Sequence, residues 1–122
     1  MIPKFRAWLD PDMYEEPVIH NGKFYLDWRD FENGNTYDLA VLMQSTGMFD
    51  KNGVEIWEGD IVLTTRLIDY TYKNFKGVVK MLEGCWLIDT GTDAVYLWSE
   101  IEENEVIGNI YQNSELLERL EG

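Results

Sequence analysis

The stretch that decides the fold runs over residues 58–98. Glu58-Gly59-Asp60-Ile61-Val62 opens it, Lys76-Gly77-Val78-Val79 lies at its middle, and Glu83-Gly84-Cys85-Trp86-Leu87-Ile88-Asp89 follows. Each apolar run is short enough for a strand, and a glycine stands at each strand entrance, where a tight bend needs it. Strand plus turn recurs about every 10–15 residues, the spacing of a small, strongly bent barrel rather than a flat sheet. Thr90-Gly91-Thr92 turns the chain into a last run over residues 95–98.

Nearer the N-terminus, residues 4–9 alternate, with Phe5, Ala7 and Leu9 on one face and Lys4, Arg6 and Trp8 on the other. Asp10-Pro11-Asp12 ends that strand, because proline removes a donor and restricts its predecessor. Val18-Ile19 and the alternating residues 23–28 flank His20-Asn21-Gly22. Asn-Gly tolerates the positive φ angles of a type I′ turn, so a hairpin is expected there. Residues 29–38 are polar and read as a surface connection. Residues 39–44 read as a buried strand stopped at Gly47, and Asp50-Lys51-Asn52-Gly53 is a further turn before residues 54–57. At the other end, Asn113 or Ser114 would cap a helix, with Glu115 in its first turn and Leu116, Leu117 and Leu120 docking it. The expected architecture is mainly β: an N-terminal β-hairpin region (1–57), a C-terminal SH3-like small barrel (58–112) and a short C-terminal helix (113–122).

The 122 residues suffice for one ordinary domain with its own core. Aromatics make up 14%, which argues for packing and against disorder. Ten Lys and Arg against 23 Asp and Glu give a net charge of −13, so phosphate backbones and anionic lipid should be repelled. No run approaches the length of a membrane span. Nor does the start read as a signal peptide, and Cys85 stands alone, so a reducing, cytoplasmic setting is expected.

Chemistry-bearing patterns are sparse. His20 is the single histidine and sits at a turn; Cys85 reads as a buried small hydrophobe beside Trp86, with no adjacent base. The oxygen donors of Asp50, Asn52 and Glu55 alternate as in a calcium loop but lack its length and closing glutamate. No P-loop or dinucleotide pattern is present. The reading is therefore not an enzyme, with no catalytic residues, no metal and no cofactor. Arg66, Lys73, Lys76 and Lys80 interleave with Tyr70, Tyr72 and Phe75, a composition that can stack single-stranded nucleic acid or simply blunt a strand edge. The acidic residues 100–105 suit mimicry of a phosphate track in a basic groove. Five tryptophans, Trp8, Trp28, Trp57, Trp86 and Trp98, exceed what so small a core holds, so some are expected at an interface.

Three blocks carry a family resemblance. Leu42-Met-Gln-Ser-Thr-Gly47-Met-Phe-Asp50-Lys-Asn-Gly53-Val-Glu-Ile-Trp57-Glu-Gly59-Asp60-Ile-Val62 resembles the central signature of the YopX family. Val106-Ile-Gly108-Asn109-Ile-Tyr111-Gln-Asn113-Ser-Glu-Leu-Leu117 resembles its closing motif, and Lys4-Phe-Arg-Ala-Trp8 its start. Leu9 stands where an acidic residue is common, and Ser114 where proline is common. The resemblance implies a small phage or prophage protein, largely of Gram-positive hosts, mostly β with an SH3-type barrel in its C-terminal part. It implies no activity. Gln44, Asp60, Asn109 and Trp57 are the signature positions singled out for interaction, although turn chemistry accounts for Asp60 and Asn109 first. The function expected is a non-enzymatic module that binds a protein partner, such as a host protein, or assembles with itself. The alternative is modulation of nucleic-acid transactions, through Arg66, Lys73, Lys76 and Lys80 or through acidic mimicry.

Overall fold

A computed structural model describes residues 4–92, 94–97 and 103–118. The chain forms two compact units, Met1–Ser45 and Thr46–Gly122. It is mainly β, as its alternation implies.

In the first unit, β1 (Phe5–Leu9) reverses through Asp10-Pro11 into β2 (Asp12–Tyr14), with Leu9 opposite Asp12. On its other side β1 pairs with the start of β5 (Val41–Phe49), placing Phe5 opposite Gln44 and Trp8 opposite Val41. Ala7 and Trp8 are both buried, so β1 is covered on both faces and not only on the Ala7 side. The Asn21-Gly22 hairpin forms between β3 (Val18–His20) and β4 (Lys23–Tyr25), with φ of 51° and 77° at its two turn residues.

Residues 29–38 are not all surface connection. Residues 28–33 form α1 (Trp28–Asn33), capped by the Asp27 carboxylate, which accepts the Asp30 amide at 2.9 Å, and closed by Gly34 at φ 71°. Six residues give too few turns for apolar periodicity, but the Asp27 and Gly34 caps are the usual start and stop. Phe31 on α1 meets the rings of His20, Tyr25 and Trp28 at centroid distances of 5.4, 5.3 and 5.2 Å. His20 is exposed, as a turn residue should be.

Strand β5 does not stop at Gly47. It runs to Phe49, with Gly47 at φ 77° inside it and the Thr46 hydroxyl donating to the Ile56 carbonyl at 2.7 Å. Glycine supplies the left-handed conformation there without ending the strand.

In the second unit, β6 (Glu55–Trp57) precedes a curled, half-barrel sheet of five antiparallel strands in the order β10-β9-β8-β7-β11. These are β7 (Asp60–Ile68), β8 (Thr71–Leu82), β9 (Cys85–Asp89), β10 (Ala94–Tyr96) and β11 (Glu103–Asn109). Ile56, Val62, Val79, Ile88 and Leu97 form its core, with Met48, Trp86, Val95 and Val106 packed against them. Strand β8 begins at residue 71, six residues before the entrance expected at Gly77. Gly77 instead marks a close approach, because a Cβ there would lie 2.3 Å from the Asp89 carbonyl oxygen. Cys85 is exposed rather than buried, since it flanks the Glu83-Gly84 turn, opposite Leu82 at the turn end of the β8–β9 hairpin.

Beyond β11, the Asn113 side chain accepts the Asn109 amide and does not cap the helix; α2 (Glu115–Glu118) starts with the Leu116 amide on the Asn113 carbonyl. The docking expected of Leu117 and Leu120 lies outside the described side chains, as do Trp98 and residues 100–102. No helix among the described residues is long and apolar enough to cross a membrane.

Candidate functional site

Two groups of residues were singled out by sequence, and the fold treats them differently. Of the signature positions, Asp60 and Asn109 become direct partners across β7 and β11, and both are buried. The Asp60 carboxylate accepts the Trp57 amide at 2.7 Å. Asn109 accepts the Tyr111 and Gln112 amides at 3.0 and 2.9 Å, while its own side-chain amide donates to Gln112 at 2.7 Å. Between them Gly59, at φ 86°, donates to the Val79 carbonyl and accepts from the Ile110 amide. These polar groups are therefore spent on backbone turns that join strands, which is how buried carboxylates and amides avoid a desolvation penalty. Trp57 is buried with them. Gln44 is half-buried in the first unit, on β5.

Asp50, in the turn whose oxygen donors alternate as in a calcium loop, is a second such acceptor. Its Oδ1 takes the Asn52 and Val54 amides at 2.8 and 2.9 Å, and its Oδ2 takes the Val106 amide at 2.9 Å. Burial pushes its carboxyl up, but the three amides together outweigh burial and hold it below the usual carboxylate range. The calcium-like spacing of Asp50, Asn52 and Glu55 is thus a turn whose first carboxylate is already occupied. Among the described residues no three or more His, Cys, Asp or Glu side chains gather as metal ligands would.

The second group lies on the β7–β8 hairpin. Its turn residues are Asp69 and Tyr70, with φ of 50° and 65°. A bulky side chain in the left-handed region is uncommon, since glycine or asparagine fills such turns at lower cost. Tyr70 is 98% exposed, Tyr72 74% and Leu67 54%. Leu67 lies directly opposite Tyr72, so the two share one face of the hairpin end.

The four cations do not share a face. Arg66 is opposite Lys73, and Leu63 is opposite Lys76, so strand alternation sends Lys73 to one face and Lys76 and Lys80 to the other. The Arg66 guanidinium donates to the Tyr96 carbonyl, and Lys80 pairs with Asp89 at 2.8 Å. The Lys80 ammonium, then the Gly91 amide, hold the Asp89 carboxyl below its ordinary value. An open hollow of ≈ 370 Å³ lies beside that pair, lined by Met81, Leu82 and Leu87 among others. What sequence reading missed is the face assignment, which depends on register and turn position rather than on composition.

Comparison with known proteins agrees with this layout. The chain is similar to protein EF1440 from Enterococcus faecalis, with a TM-score of 0.63 and 28% identity over 96% of this chain and 99% of that one. It is also similar in fold to yopX from Bacillus subtilis, with a TM-score of 0.59 and 22% identity over 92% and 95% of the two chains. No curated protein matches it. The sequence model of the family described as YopX protein matches residues 4–118, nearly the whole chain and all three blocks quoted above, so the chain belongs to the YopX family.

Proposed function

We propose that this chain is a phage or prophage accessory protein that works without catalysis, in the cytoplasm of a bacterial host, by binding another protein through the exposed end of its β7–β8 hairpin. The observation that carries the reading is Tyr70. A tyrosine almost fully exposed at a turn position that favours glycine is costly for folding and supplies no packing in return. With Leu67 and Tyr72 beside it, the hairpin end offers the amphipathic aromatic contact that interfaces use. The buried signature residues Asp60, Asn109 and Trp57 support a structural role for the family motif, which leaves the exposed surface to carry binding.

Modulation of nucleic-acid transactions draws less support, because Arg66, Lys73, Lys76 and Lys80 point to two faces and two of them are engaged within the chain. The test is retention from host lysate by tagged wild type and by the Leu67→Thr/Tyr70→Gly/Tyr72→Thr variant, with light scattering on each eluate. A partner, or a second copy, held by wild type and lost by an equally folded variant is the expected result. Equal retention by both would overturn the reading.

A further inference from the structure

Pairing along β8 is uneven. Strand β7 accompanies it from Thr71 to Val78, whereas β9 pairs only with Val78 to Leu82. On the β9 side, residues 71–76 have no strand neighbour among the described residues. The two strands part at Gly77, where the Asp89 carbonyl packs against the bare Cα. Such an edge presents backbone N–H and C=O groups in a row, ready for an added strand.

Two cations stand on this free edge. Lys73 and Lys76 make no ion pair or hydrogen bond with any described side chain, although carboxylates outnumber cations in the chain by 23 to 10. The arrangement that spoils a basic groove suits a strand, whose own side chains alternate between faces. A strand laid along residues 71–76 would meet Lys73 on one face and Lys76 on the other, at positions three residues apart.

We infer that the free edge of β8 at residues 71–76 binds an extended acidic peptide by strand addition, which names the partner class for the hairpin reading above and rests on it. The ligand carries two carboxylates three residues apart, facing Lys73 and Lys76, and apolar or β-branched side chains opposite Tyr72 and Phe75. Charge selects this occupant. A second copy would bring the same two lysines to the edge and, within residues 71–76, no carboxylate to meet them.

The test selects short random displayed peptides on the intact protein, in parallel with Lys73→Glu/Lys76→Glu and with Lys80→Glu, whose position is already paired by β9. Expected are peptides free of proline with Asp or Glu at a three-residue interval. Their binding should fall about tenfold or more with the double variant, little with Lys80→Glu, and about tenfold when alternate backbone amides on one edge are methylated. Enrichment without that spacing, or indifference to amide methylation, would overturn strand addition. So would retention of a fluorescent single-stranded oligonucleotide in place of any peptide. If no peptide is enriched while the Leu67/Tyr70/Tyr72 variant still loses its lysate partner, this inference fails and the hairpin reading stands.

Discussion

The Asp50 carboxylate accepts the amide of Val106, 56 residues away, at 2.9 Å, and with its other oxygen accepts the amides of Asn52 and Val54. One side chain thus closes a local turn and fixes it to β11. Replacing Asp50 by Ala strands three donors, so a loss of about 2–4 kcal/mol in unfolding free energy is expected. Urea titration checks it.

Acid stability follows from the same bonds. The Asp50 carboxyl is held below its ordinary value when folded. Its contribution is therefore fully present above the unfolded carboxylate pKa and is lost as pH falls through the lower folded value. The Asp50→Asn variant should be less stable at neutral pH and should show a shallower decline in stability on acidification. Melting curves recorded across the acid range read both effects.

Gly77 is a packing glycine. A methyl group there would meet the Asp89 carbonyl oxygen at 2.3 Å and the Ile88 Cγ2 at 2.8 Å, so a backbone must move. Gly77→Ala should destabilise by about 3 kcal/mol or more. Gly84→Ala meets nothing within 4 Å but sits at φ 81°, and should cost about 1–2 kcal/mol through conformation alone.

The exposed Lys80–Asp89 pair should matter little. Lys80→Gln is expected to change stability by less than about 1 kcal/mol, and by less still at high salt.

Tyr70→Gly separates stability from binding. Glycine relieves the left-handed strain at φ 65°, so stability should hold or rise by about 0.5–1 kcal/mol. Partner retention should fall at the same time. Thermal unfolding and lysate retention of the same preparation test the pair.

Much of the β framework was legible because its signals are local. Asn21-Gly22 takes the two positive φ angles its chemistry permits, and Asp60 and Asn109 accept the turn amides that short polar side chains favour. Helix α1 was hidden because six residues show no period, leaving Asp27 and Gly34 as its only marks. Gly47 looked like a stop because a positive φ inside a strand and a turn glycine read alike. The cation faces were illegible for a different reason: shifting the turn by one residue would exchange Lys73 and Lys76 between faces, and composition carries no register.

Amide hydrogen exchange, measured on the protein alone and with its retained partner, locates the surface that binds. Slowed exchange is expected at residues 67–76, with little change around Asp60 and Asn109. Unchanged exchange at residues 67–76, with protection appearing on the Trp28 and Phe31 surface instead, would contradict binding through the hairpin end.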